Sequence, residues 1–232
     1  MSDLTERILY EDNHLIIINK KASEIVQGDK TGDISLLETV REYIRVAYNK
    51  TGNVFTGLVH RLDRPVSGAV VFAKTGKSLT RMNQLVKERS VEKRYLAIVQ
   101  NRPPLDEDEL THFLVKNEKQ NKSYVRRPDD KAAKPAKLAY KVLAKSERFY
   151  ILEIMLHTGR HHQIRAQLAS IGSPIRGDVK YGYARPNSDG SINLHAWKLY
   201  FIHPVKQTPI DIVAPLPDEK PWNLFKEIQL TK

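Results

Sequence analysis

Gly57-Leu58-Val59-His60-Arg61-Leu62-Asp63-Arg64-Pro65-Val66-Ser67-Gly68 sets one carboxylate between two arginines, with a histidine and a proline close by and a glycine at each end. The run Ala69-Val70-Val71-Phe72-Ala73 follows at once, and its β-branched and aromatic residues predict a strand. Glycine and proline predict a turn that holds Asp63 in a fixed pose at the mouth of that strand. The neighbouring arginines favour the charged form of Asp63. So held, it can act as nucleophile, as base or as half of a structural ion pair, and spacing alone leaves the three open.

Upstream, Arg7 to His14 and Leu15 to Asn19 read as a hairpin with Asp12 and Asn13 in the turn, and the second arm is apolar enough to be buried on both faces. Lys20 and Lys21 end that strand. Apolar residues at 36, 37, 40, 43, 44 and 47 form a helical stripe, with Ser35 as N-cap and Glu38 completing a capping box. Downstream, Lys77–Val86 predicts a short amphipathic helix and Glu92–Val99 a strand in which Tyr95, Ala97 and Val99 share a face. Leu110–Val115, Leu138–Leu143 and Phe149–Leu156 read as strands, the last two joined through the turn at 145–148. Asp129 to Lys131 and Lys134-Pro135 read as loop. Asn193–Phe201 and Pro209–Val213 are late strands, and Pro221–Ile228 is a closing helix.

A chain of 232 residues, 41% hydrophobic and 28% charged, is long enough for one domain with a proper core, taken here as a single domain over 1–232. It has no cysteine, which excludes disulfides, thiolate metal sites and cysteine nucleophiles. No signal peptide and no apolar run of membrane-spanning length is visible, so a cytoplasmic location is expected. Thirty-eight Lys and Arg against 27 Asp and Glu leave a net +11. Lys116–Arg148 holds eleven basic and four acidic residues, a local +7. Such charge suits a polyanion, nucleic acid being the commonest; the competing reading is a solvated lysine-rich face.

The second chemically loaded stretch is His157-Thr158-Gly159-Arg160-His161-His162-Gln163-Ile164-Arg165. A strand ending at His157, a turn at Gly159 and a helix over Gln163–Ile171 would gather positive side chains and free N–H groups at a helix start, which suits anions. His157 and His161 have the spacing of a helical metal pair, but they straddle Gly159 and lack the Glu that a zinc hydrolase needs.

His60-Arg61-Leu62-Asp63 with Ser67-Gly68 resembles the signature of the RluA-type pseudouridine synthases. Lys93-Arg94-Tyr95-Leu96-Ala97, Thr158 to Arg165, Pro174-Ile175-Arg176-Gly177-Asp178 with Tyr181-Gly182, Leu194-His195-Ala196-Trp197 and His203-Pro204 match the same family in order. The likeness runs from about Ile8 to Pro217. Val66 and His161 stand where the family usually has Thr, and Lys21 where Pro is common; Val66 and His161 are the places where the hold on neighbouring RNA would differ. The resemblance begins near residue 8, without the extra N-terminal RNA-binding domain of many relatives, so RNA recognition is expected to rest on the one domain.

The resemblance implies an α+β fold: a bent, largely antiparallel mixed β-sheet flanked by helices, with a central active-site cleft. It implies isomerisation of uridine to pseudouridine in structured ribosomal or transfer RNA, with no cofactor and no metal; a monomer that does not engage membranes is expected. Asp63 would be the essential carboxylate, acting at C1′ as nucleophile or on the C2′ proton as base. Tyr95 would stack on the uracil, and Arg165 would pair with Asp63. His60, Arg61, Arg64, Arg160 and His162 are the expected substrate-binding residues, with Arg61 bracing the space left by the flipped base. Two other readings are a non-catalytic RNA-binding protein of the same fold and a nucleoside glycosidase.

Overall fold

The computed structural model describes residues 2–29 and 32–225. After a single helical turn, α1 (Ser2–Thr5), come β1 (Ile8–Glu11) and β2 (Leu15–Lys20), then α2 (Leu36–Ala47), β3 (Gly57–Leu58), β4 (Ser67–Ala73) and α3 (Gly76–Lys87). The second half carries β5 (Glu92–Val99), β6 (Glu107–Asn117), β7 (Lys122–Arg126), β8 (Lys134–Lys145), β9 (Tyr150–Leu156), α4 (Gln163–Ser170), β10 (Leu194–Ile202) and β11 (Pro209–Val213). Every strand register described below is antiparallel, so the architecture is open, mostly antiparallel sheet with few helices.

The chain divides into two compact units, 1–93 with 196–215, and 94–195 with 216–232. In the first, strands run in the order β1-β2-β4-β10, with β11 on β10 and β3 on β4. β2 and β4 pair from Leu15↔Ala73 to Lys20↔Gly68. Their unbroken apolar runs are explained by burial on both faces: Leu15 to Ile18 and Val70 to Ala73 are all 0% exposed. Each of the Leu, Ile, Val and Phe side chains contributes about 1.5–3 kcal/mol. Leu15, Ile17, Val71, Met82 and Phe201 form one cluster, against which Leu79, Leu85 and Val86 of α3 pack.

Local sequence signals act as expected here. Asp12 Oδ1 accepts from the N–H of His14 and Leu15 at 2.8 Å each, closing the β1–β2 turn. Ser35 and Glu38 form the capping box of α2. β4 begins two residues before the expected strand, at Ser67, because Gly68 can enter the sheet where nothing else can. Its φ is +114°, and a Cβ there would lie 2.3 Å from the Ala196 carbonyl oxygen.

The second unit is a sheet in the order β5-β9-β8-β6-β7. β5 occupies the expected residues, and β8 pairs with β9 across the 145–148 turn. Two expectations fail. Lys134-Pro135 is not loop but the start of β8, where Pro135 lies opposite Phe113 of β6. Pairing with β9 begins only at Leu138, so the N–H that Pro135 lacks has no ladder to break on that side. β7 was not expected as a strand at all; it pairs with β6 from Phe113↔Arg126 to Asn117↔Lys122. Of the closing helix expected at 221–228, Trp222–Phe225 form a 3-10 turn and residues 226–228 lie outside the described residues.

Candidate active site

In the first unit the Asp63 loop is built from underneath. Leu62 and Val66 are buried, while Asp63 between them is half-buried and Arg61 and Arg64 are exposed. The Val66 N–H closes a turn on the Asp63 carbonyl at 3.0 Å. Below the loop lies Lys20, 1% exposed, whose Nζ donates to the carbonyls of Lys21 (2.9 Å), Arg64 (3.1 Å) and Val66 (2.6 Å). Ser23 N–H also reaches the Arg64 carbonyl, at 2.8 Å. Burial lowers the Lys20 ammonium to about 8, while the Glu24 and Asp63 carboxylates pull it back up. A buried cation satisfied by loop carbonyls turns a flexible segment into a fixed one.

The sequence marks Lys20 only as a strand end, two residues past the apolar run Leu15–Ile18. Lys20→Met should cost roughly 1–3 kcal/mol by orphaning those carbonyls. The loss in turnover should exceed what the unfolded fraction explains, as checked by thermal unfolding and turnover on the same preparation.

The flanking residues differ in accessibility. Arg64 is ion-paired with Asp33 at the surface. His60 is half-buried, and its Nε2 accepts the Val71 N–H at 3.3 Å. That nitrogen therefore carries no proton. Burial, with the Lys93 charge beside it, pushes the imidazole down to about 3. The unfolded chain takes up the proton near pH 6.5, so His60 favours folding above that pH and the contribution falls as pH drops toward 3. Between pH 6 and 4 this residue should cost about 1.4 kcal/mol per pH unit. His60→Gln should flatten that slope in urea midpoints measured at pH 7, 6, 5 and 4.

In the second unit, Tyr95 lies within β5 opposite Ile154, 7% exposed. Arg165 on α4 is 5% exposed and grips Asp178 with a fork: Nε to Oδ2 at 2.7 Å, a second guanidinium nitrogen to Oδ1 at 2.9 Å. Its guanidinium carbon lies 5.1 Å from the Tyr181 ring centroid. Asp178 is 1% exposed, and the sequence offers it only as the end of the Pro174–Asp178 family match. Gly177 before it has φ +85°, and a Cβ there would lie 2.8 Å from the Asn187 side chain and from the Ser191 carbonyl oxygen.

The turn into α4 is not made at Gly159. The left-handed residue is His162, φ +52°, which stands at the N-cap with no side-chain cap of its own. Gln163 supplies the acceptor instead, taking the Arg160 N–H at 2.9 Å and the Thr158 hydroxyl at 2.7 Å. Arg160 Nε donates to the Pro135 carbonyl at 3.0 Å. His162 is buried, with Nδ1 3.0 Å from the Tyr181 hydroxyl. That hydroxyl accepts the Ser123 N–H at 2.8 Å. His161 stacks on His162 with ring centroids 3.8 Å apart.

Among the described residues no cluster of three or more potential ligands forms a metal site, and no helix is long and apolar enough to cross a membrane. A family model described as RNA pseudouridylate synthase matches residues 14–170, a span that includes Asp63, Tyr95 and Arg165. The chain is 33% identical over 222 residues to ribosomal large subunit pseudouridine synthase C of Buchnera aphidicola subsp. Acyrthosiphon pisum, covering 93% of this chain and 68% of that one. It is 33% identical over 222 residues to ribosomal large subunit pseudouridine synthase D of Nitrosomonas europaea, covering 92% of this chain and 62% of that one. In fold it matches human RNA pseudouridylate synthase domain containing 4 with a TM-score of 0.80 at 24% identity, over 94% of this chain and 91% of that one. The chain belongs to the RNA pseudouridylate synthase family, whose isomerase activity converts uridine to pseudouridine.

Proposed function

We propose that the chain modifies uridine within structured RNA, ribosomal RNA foremost, with Asp63 as the essential carboxylate. The observation that carries this is the family match across 14–170, together with the anchoring of the Asp63 loop on Lys20. The N1–C1′ bond breaks, the uracil turns, and C5 bonds to C1′ as the C5 proton leaves. Asp63 acts either at C1′ or on the C2′ proton; both roles need a carboxylate held in one pose and shielded from water, which would otherwise release free uracil.

Tyr95 stacks on the uracil and assists loss of the C5 proton. Arg165, its fork already fixed by Asp178, orients Asp63. Arg61 braces the gap left by the flipped base, at an unstacking cost of a few kcal/mol. Arg64 and Arg160 meet backbone phosphates, while His60 and His162 support the two loops from behind. The relatives named for the large ribosomal subunit make ribosomal RNA the first substrate to test, transfer RNA the second.

Tritium release from RNA carrying 5-tritiated uridine tests the reaction itself. Release with the RNA chain intact and no free uracil supports the synthase. Free uracil would mean a glycosidase, and no release with binding intact would mean a non-catalytic binding protein. The Lys116–Arg148 stretch supplies the phosphate contacts. Replacing Lys131, Lys134 and Lys141 together by Ala should lower affinity and reduce the slope of log K against log salt by about two to three. An unchanged slope would mean these lysines are a solvated face.

A further inference from the structure

The hairpin of β6 and β7 enters the basic stretch and carries aromatic side chains to which the proposed function gives no role. One face of it is inward: Leu114 and Val125 lie opposite each other and pack with Ala136, Ala166 and Tyr181. The strand period then puts Phe113, Val115, Tyr124 and Arg126 on the other face. Val115 lies opposite Tyr124 and Phe113 opposite Arg126; Phe113, Val115 and Tyr124 are half-exposed and Arg126 is exposed. Lys122 Nζ and the Arg126 guanidinium carbon each lie 5.3 Å from the Tyr124 ring centroid. Residues 116–127 hold five basic side chains and one acidic.

We propose that this outer face is a stacking platform for an unpaired base of single-stranded RNA, with Tyr124 against the base and Lys122 and Arg126 on the flanking phosphates. The proposal rests on RNA being the substrate and names a contact outside the catalytic residues. An aromatic ring on an edge strand with a cation on each side along the chain is what a nucleic-acid strand needs, because every base has a π-face and every link a negative charge. In the free protein the cations rest against the ring. A bound base takes the place of one of them, and that cation keeps its charge on the adjacent phosphate.

The hairpin is tied down by hydrogen bonds in the free protein. Tyr124 donates its hydroxyl hydrogen to Gln120 Oε1 in the hairpin turn. The turn itself is tied to the start of α4 and to the Asp178 segment. His161 Nε2 lies 3.0 Å from Asn121 Oδ1, and His161 Nδ1 lies 2.9 Å from the Ser123 hydroxyl, which donates to the His161 carbonyl at 2.7 Å. Lys180 Nζ donates to the Asn121 carbonyl at 3.2 Å. A hairpin held at its tip loses little conformational freedom on binding, which favours affinity.

The test measures binding of a fluorescein-labelled twelve-nucleotide oligouridylate and of a duplex of equal length, with pseudouridine formation on folded RNA read in parallel. Tyr124→Ala should weaken oligouridylate binding on the order of tenfold, while duplex binding stays unchanged. Tyr124→Phe and Tyr124→Trp should bind as wild type, and the fluorescence of the new Trp should be quenched when oligouridylate stacks on it. Turnover at saturating folded RNA should hold while KM rises. Wild-type binding by a folded Tyr124→Ala protein would overturn the platform, as would equal losses in the Ala, Phe and Trp variants or an unquenched Trp. If Tyr124 governs binding but wild-type protein forms no pseudouridine, the catalytic reading fails and the platform stands.

Discussion

Asp63→Asn should reduce pseudouridine formation by roughly 10⁴-fold or more while RNA affinity stays within about threefold of wild type. The amide has the size and shape of the carboxylate, so the loop should stand. Its anchors are main-chain groups: the Asp63 carbonyl to Val66, and the Arg64 and Val66 carbonyls to Lys20. What disappears is the negative charge and the nucleophilic or basic oxygen. A half-buried residue at the end of a fixed loop can be neutralised without unfolding the protein, so the loss belongs to chemistry. Thermal unfolding within about 1 kcal/mol of wild type would establish that separation. Turnover near wild type would remove Asp63 from the reaction altogether.

The second large effect belongs to the Arg165–Asp178 pair. Both side chains are almost fully buried and meet through two parallel hydrogen bonds. Arg165→Ala leaves the Asp178 carboxylate buried without its guanidinium, which costs about 3–5 kcal/mol. Asp178→Ala should also destabilise in denaturant unfolding, and the double change should cost less than the sum of the two. Activity distinguishes the partners. At a temperature where each variant is still folded, Arg165→Ala should lose most of its turnover, and Arg165→Lys should not restore it, because an ammonium lacks the planar fork. Asp178→Ala, with Arg165 present but less firmly held, should keep more. Equal turnover in the folded fractions of wild type and Arg165→Ala would make the pair purely structural.

Much of the fold was legible because its signals are local. The Asp12 turn, the Ser35–Glu38 capping box and the uninterrupted apolar runs of β2 and β4 each act within a few residues, and each is realised as read. β7 escaped because Lys122, Arg126 and Arg127 dominate the reading as charge, which leaves only Tyr124 and Val125 as strand-forming residues. The start of β8 escaped because Pro135 signals a break, and only the pairing showed that β9 does not reach that far.

The candidate residues themselves were visible as a motif, but their supports were not. Lys20 reaches carbonyls 44 and 46 residues away, and Asp178 meets Arg165 across 13 residues through a turn. Neither contact has a period or a cap to announce it. Gly68 reads as a turn residue, yet what demands it is the close approach of the Ala196 backbone. His161, read as a departure from the usual Thr, tethers the β6–β7 hairpin through Ser123 and Asn121. Val66, the other departure, is buried beneath the Asp63 loop.

The most direct measurement of the central claim is pseudouridine mapping by carbodiimide labelling and reverse transcription. RNA from cells lacking this activity would be treated with wild-type protein and, separately, with Asp63→Asn. A stop at one or a few uridines that appears only with wild-type protein is the result predicted, and it names the substrate. No new stop in ribosomal or transfer RNA, with RNA binding intact, would contradict an Asp63-dependent synthase and leave a binding protein of the same fold.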